Sequence, residues 1–326
     1  LPAEHLARFL AGHWGEPVAI SGLKRFHGGS ARETWRFDAS AASGRREAMV
    51  LRRDMPAALI ETERATEFAA LQAFHGGPVP VPEPLWCETA AFGSPGFIMR
   101  EVPGGTAQGL LTPDPYGADA PALGAALFTA LGHIHRMAPD RLGLPPVSAG
   151  DAALARLAHW RSVFEADALR PEPVVAAAFR WLERTPVAPA QRVSVVHGDF
   201  RSGNFLHNGP QLLAVLDWEM VHAGDPLEDL AWVCDPLWGH GTGRAAGLLP
   251  LADAVSQWEA ASGLTFDEQA FRWWQMFACV MGVTIWISAA REVADGRSLD
   301  PVLGFAGLVP YRFHVARLAA LLEAGL

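Results

Sequence analysis

Residues 195–206 read Val195-Val196-His197-Gly198-Asp199-Phe200-Arg201-Ser202-Gly203-Asn204-Phe205-Leu206, and no other stretch restricts the fold as much. A β-branched run feeds a polar loop that opens on an aspartate, and a short apolar run leads out of it. A buried strand ending at an accessible carboxylate is how a rigid scaffold holds a reactive group. Asn204 follows Asp199 by five positions, close enough for both side chains to serve one site from opposite ends of the loop. Leu216-Asp217-Trp218-Glu219 repeats the layout, with an apolar run from Leu212 and an aspartate at its mouth. Two strand-end carboxylates and an amide oxygen make a hard, oxygen-rich donor set of the kind magnesium takes.

Two textures surround these loops. The first hundred residues are strand-rich: residues 18–26 precede the turn Gly28-Gly29-Ser30, 34–37 follow it, and 48–53 form a third strand closed by Pro56. Residues 59–74 have helical spacing, with Phe68, Leu71 and Phe74 on one stripe and Glu61, Glu63, Arg64 and Glu67 off it. Pro78, Pro80, Pro82 and Pro84 exclude helix, and strands are predicted at 85–88 and 97–101. Pro103-Gly104-Gly105 then divides a lobe at 1–102 from a lobe at 103–326. Beyond Asp119 helical periodicity dominates, at 123–134, 154–164 and 174–182. Short strands at 193–196, 205–206 and 212–216 interrupt it, and helices resume from Leu227 to the end. The fold class is α+β.

Half of the 326 residues are apolar and 19% are charged, the balance of a globular chain rather than a disordered one. A formal net charge of −9 argues against non-specific nucleic-acid binding, which needs a cationic face, but leaves room for a local basic pocket. Cys87, Cys234 and Cys279 are far apart and form no paired motif, which suits a reducing cytoplasm better than a disulfide framework or a zinc site. Residues 1–10 already carry Glu4, His5 and Arg8, so the apolar core of a secretory signal is missing there. Residues 273–290 are uncharged between Arg272 and Arg291, near the minimum length for a membrane span. Gln275, Thr284 and Ser288 within the segment, and its isolation, favour a buried core helix, so no membrane partner is expected.

The order Asp-x4-Asn, strand, Asp resembles the catalytic loop and metal-binding aspartate of the protein-kinase-like superfamily. His197-Gly198-Asp199-Phe200 through Asn204, with Asp217-Trp218-Glu219, is similar to its small-molecule branch, the aminoglycoside phosphotransferase and choline kinase-like family. Gly224-Asp225-Pro226-Leu227-Glu228-Asp229-Leu230-Ala231 fits that branch too, and the resemblance runs through nearly the whole chain. It implies a bilobal protein-kinase-like fold, a small β-rich N-lobe and a larger helical C-lobe, with ATP or GTP and Mg²⁺ held between them. Asp199 would orient the acceptor hydroxyl and take its proton, with His197 bracing the loop. Asn204 and Asp217 would hold magnesium. Gly28, Gly29 and Ser30 would cover the phosphates through backbone N–H groups. Met99 and Glu101 lie in the segment that would meet adenine.

The third strand departs from the superfamily, which places a phosphate-contacting lysine there. The only lysine of this chain is Lys24, ahead of the glycine turn, and Arg52 stands in the lysine's position with Glu67 as its helix partner. Arginine keeps the charge and adds a bidentate fork. The other reading makes Arg52 and Arg53 surface cations.

Arg201, inside the catalytic loop, meets either substrate and the transferring phosphate or a neighbouring carboxylate. Asp225 and Asp229 are read as caps and loop braces, and Glu219 as a water-mediated metal contact or a structural hydrogen bond. His133 and His135, two positions apart on a helix, face different ways and show no metal pattern. From Pro236 onward eight Asp or Glu nearly balance six Arg, amid Trp238, Trp258, Trp273, Trp274 and Trp286. A polycationic acceptor would need a carboxylate cluster, and no dense acidic run appears. The expected partner is a small molecule bearing a hydroxyl, preferably a hydroxy acid or lipid-like alcohol. Similarity to kinase-like domains that precede acyl-CoA dehydrogenases points the same way. The alternatives are an antibiotic acceptor, aminoglycoside or macrolide, and a catalytically inactive nucleotide-binding protein.

Overall fold

A computed structural model describes residues 3–26, 32–54, 64–88, 92 and 94–325. Helix α1 (Ala3–Trp14) leads into β1 (Val18–Phe26), β2 (Arg32–Ala41) and β3 (Arg46–Asp54), which pair as antiparallel neighbours. After α2 (Arg64–Phe74), strands β4 (Pro84–Glu88) and β5 (Gly96–Arg100) complete one five-stranded sheet in the order β1-β2-β3-β5-β4. Gly28, Gly29 and Ser30 fall outside the described residues.

The two-residue period of a strand decides what each face meets. Met49 and Leu51 of β3 point to one side and pack with Leu6 and Leu10 of α1, Phe37 and Ile98. Val50 points to the other and joins Phe68 of α2, Phe97 and Met99. Arg52 therefore shares the face of Val50 and is aimed at α2. The sequence reading leaves α1 unassigned because its apolar signal is short. Leu6 and Leu10, one turn apart, are its only buried residues.

The helical lobe begins with α3 (Ala120–Ile134), α4 (Ala152–Asp167) and α5 (Pro173–Arg184). Four short strands follow: β6 (Ser194–Val196), β7 (Phe205–Asn208), β8 (Gln211–Val215) and β9 (His222–Gly224). β7 and β8 form a hairpin, and β6 pairs with β9. The lobe closes with α6 (Leu227–Val233), α7 (Leu251–Ser262), α8 (Glu268–Ala294), α9 (Pro301–Ala306) and α10 (Val309–Glu323).

Helix α8 is started by Asp267, whose Oδ1 accepts from Ala270 N at 2.9 Å. It is long and apolar enough to cross a membrane by length and composition, yet 67% of its most apolar window is buried inside the molecule. Trp273, Trp274, Phe277 and Cys279 are covered by neighbouring helices, so α8 is the central core helix of this lobe. All three cysteines are free thiols.

Candidate active site

The loop after β6 is shaped by its backbone first. Gly198 has φ +83°, and a Cβ there would sit 2.4 Å from Met220 O. Only glycine meets both demands. The N–H groups of His197 and Gly198 donate to the two oxygens of buried Asp229, at 2.7 and 2.8 Å. His135 Nε2 donates to the same carboxylate at 3.1 Å, its Nδ1 receiving the indole N–H of Trp258. Asp229 is thus a brace under the loop, and Asp225 accepts from Leu227 N at the start of α6. Gly198→Ala is expected to destabilise the fold by about 2–4 kcal/mol through strain and overlap. A melting temperature equal to that of the parent would contradict this account.

His197 is sealed in the interior, and burial pushes its pKa below the ordinary histidine value. Nε2 donates to Leu216 O at 2.9 Å, which leaves Nδ1 to accept from Asp199 N at 3.2 Å. One neutral ring therefore ties the Asp199 loop to the strand end that carries Asp217.

Asp199 is held on both oxygens. Oδ1 accepts from Trp232 Nε1 at 2.8 Å and from Arg201 Nε at 2.9 Å, while Oδ2 accepts from Asn204 Nδ2 at 2.6 Å. Of the two readings of Arg201, the structure displays the ion pair, with the guanidinium carbon 4.6 Å above the Trp238 ring. Trp232 was not singled out beforehand. It lies in a helix of seven buried residues, flanked there by Ala231 and Val233, and nothing in that local pattern marks the indole as a hydrogen-bond donor.

Asn204 sits at the start of β7, and the register Phe205↔Val215 sets it beside the end of β8. Leu216 N donates to Asn204 O at 2.8 Å, so the residue next to Asp217 is tied to Asn204. Asn204 Nδ2 also donates to Asp199 O at 2.9 Å, leaving the side-chain oxygen as the acceptor end of the amide. Asp217 takes a left-handed φ of 65°, a strained state that aspartate tolerates better than most residues. The donors Asn204 and Asp217 are both hard oxygens, which suits a divalent cation such as magnesium.

Arg52 is enclosed and bridges the lobes. Nη1 bonds Glu67 Oε1 at 2.6 Å and Nη2 bonds Asp217 Oδ1 at 2.7 Å. Burial opposes its charge, but Asp217, Glu67 and Glu219 outweigh that and push its pKa up. Arg64, which the sequence places off the apolar stripe of its helix, pairs with Glu67 and also with Asp54 Oδ1 at 2.8 Å. Arg53 turns away to Glu33, at 2.7 Å from its Nε, so of the two neighbouring arginines it is Arg52 that reaches Asp217.

Met99 is buried in the sheet on the face of Val50. Glu101 has its N–H committed to Ala48 O at 3.0 Å and its carboxylate to Arg36 at 3.1 Å.

The profile of the phosphotransferase enzyme family matches residues 22–274. Acyl-CoA dehydrogenase family member 11 of Gallus gallus is 27% identical over 235 residues, 70% of this chain and 30% of that protein. Member 10 of the same family, from Mus musculus, is 30% identical over 199 residues, 57% of this chain and 18% of that protein. The chain thus matches less than a third of these relatives' length. Among solved structures, a Ralstonia eutropha protein provisionally assigned as an aminoglycoside phosphotransferase superposes with a TM-score of 0.77 at 20% identity, covering 99% of this chain and 98% of that one. A thermostable mutant of the aminoglycoside phosphotransferase APH(4)-Ia, in complex with AMP-PNP and hygromycin B, gives 0.62 at 18% identity, covering 99% of each chain. Macrolide 2'-phosphotransferase type I gives 0.62 at 18% identity, with 97% of this chain and 96% of that one covered.

Proposed function

The chain belongs to the phosphotransferase enzyme family, and we propose that it moves the γ-phosphoryl group of ATP or GTP to a hydroxyl of a small organic molecule. The observation that carries this reading is one connected array: Asp199 fixed by Asn204, Trp232 and Arg201, and Arg52 joining Glu67 to Asp217. Phosphoryl transfer needs in-line positioning and neutralisation of charge more than covalent help.

In this reading Asp199 accepts the hydroxyl proton as the oxygen attacks the γ-phosphorus, while the bond from that phosphorus to the β,γ-bridging oxygen breaks and the nucleoside diphosphate leaves. Its hydrogen bonds keep the carboxylate in one orientation, which aligns the nucleophile before reaction. Asn204 and Asp217 would hold Mg²⁺, which when bound neutralises the phosphate oxygens. Arg52 adds a fixed positive charge at the lobe junction, anchored by Glu67. The structural neighbour in complex with AMP-PNP supports a nucleoside triphosphate as donor.

The acceptor we favour is a hydroxy acid or a lipid-like alcohol. Asp199 bonds Arg201 and Trp232, and Arg201 lies over Trp238: a cation and two indoles next to the carboxylate suit an acidic or apolar-bodied acceptor better than a polyamine sugar. The names of the curated relatives, acyl-CoA dehydrogenases, agree with an acyl-type acceptor. We place the protein in the reducing cytoplasm, in keeping with its free thiols. Incubation with ATP and Mg²⁺ against panels of hydroxy acids, long-chain alcohols, amino alcohols and antibiotics tests the reading. Phosphate transfer to a hydroxy acid or lipid alcohol is expected. Turnover confined to aminoglycosides or macrolides would overturn the choice of acceptor, and no turnover with any panel would favour an inactive nucleotide binder.

A further inference from the structure

We infer that the cavity between the turn linking α4 to α5, the later turns of α8 and the α9–α10 corner is a binding site for a soluble aliphatic carboxylate. It encloses about 330 Å³, at the small end of the range of about 300–1,000 Å³ typical of ligand sites. Its apolar walls are Leu169, Trp286, Ile287, Ala290 and Leu308. Leu308 is 59% exposed and Leu169 48%. Large aliphatic side chains held in water around a concave opening mark a surface that gains by being covered. Trp286 is fixed as a wall, because its indole N–H donates to His314 Nδ1 at 2.8 Å.

The charge on the rim selects the head group. Arg170, Glu172, Tyr311 and Arg312 line the opening. Glu172 is already matched: it receives Arg170 Nε at 2.9 Å and the Tyr311 hydroxyl at 2.6 Å. Arg170 Nη2 also donates to the Tyr311 hydroxyl oxygen at 3.1 Å, closing a three-membered network. Arg312 has no ion-pair partner among the described residues, which leaves the rim one cation in excess. An apolar cavity beneath one unmatched guanidinium fits a single carboxylate on an aliphatic body. A neutral alcohol leaves the guanidinium unmatched, and an amine is repelled by it.

The site is separate from the phosphotransfer centre and does not depend on it. None of Asp199, Arg201, Trp232 and Trp238 lines the cavity; its wall Trp286 has its ring 6.4 Å from that of Trp238, which in turn carries Arg201. Titration calorimetry of the full chain with decanoate, without nucleotide or phosphate acceptor, reads the site directly. One-to-one saturable binding is expected, weakened by about tenfold or more in Arg312→Glu and Leu308→Asp. Leu251→Asp, at an exposed position of α7, should bind as the parent does, and decylamine should not bind at all. Both test positions are exposed, so circular dichroism of each variant should match the parent, and Arg312→Gln provides a milder version of the same loss. Failure of decanoate to bind, or equal binding by the parent and Arg312→Glu, overturns the inference. Indifference to decanoate combined with sedimentation on anionic phospholipid vesicles also overturns it, by showing the face to be a membrane-docking surface.

Discussion

Replacing Asp199 with alanine is expected to lower turnover by about 10²–10⁴-fold, the contribution of a positioned general base, while the affinity for nucleotide stays where it was. The separation follows from the geometry. Asp199 is bonded to Asn204, Trp232 and Arg201, none of which belongs to the Arg52–Asp217 pair that links the lobes. Truncation strands the Trp232 N–H and one Asn204 N–H in a buried setting, at about 1–3 kcal/mol each. Some loss of melting temperature therefore accompanies the change. Single-turnover rates, read beside calorimetric binding of a non-hydrolysable ATP analogue, divide the chemical effect from the structural one. A variant that turns over close to the parental rate would remove Asp199 from the reaction.

The aspartates, the asparagine and the strand that feeds them are legible because they lie within one continuous stretch. There, local pattern and site geometry are nearly the same thing: the hairpin register places Asn204 beside Leu216 with little help from the rest of the fold. Arg52 is legible for a different reason. Strand alternation assigns it to the face of Val50, and that face meets α2 and Glu67.

What could not be read is what arrives from a distance in sequence. Trp232 reaches Asp199 across 33 positions, and Asp217 reaches Arg52 across 165. An indole among buried apolar neighbours gives no local sign of the hydrogen bond it will make. Arg64 belongs to the same class: its surroundings read as the polar side of an amphipathic helix, whereas it is buried against Glu67. Asp229 is legible only as a brace of unspecified target, and its targets are the backbone of the loop after β6 and His135.

Arg52→Ala is expected to produce the second large effect, on nucleotide affinity and on stability together. Arg52 compensates Glu67, which is almost wholly buried, and removing one partner of such a pair costs about 3–5 kcal/mol. Arg64 still holds Glu67 in the variant, so the loss should fall at the lower end. Asp217 meanwhile loses the guanidinium that draws it toward β3, and the link between sheet and hairpin is broken. Nucleotide binding should weaken because the phosphates lose a fixed cation at the junction. Arg52→Lys separates the two roles. A single ammonium keeps the charge but has no planar fork to reach Glu67 and Asp217 at once. That variant should retain most of the nucleotide affinity while giving up part of the melting temperature. Calorimetric titration with ATP and thermal denaturation of both variants provide the readouts. Undiminished ATP affinity in Arg52→Ala would show the arginine to be a structural tie between the lobes and nothing more.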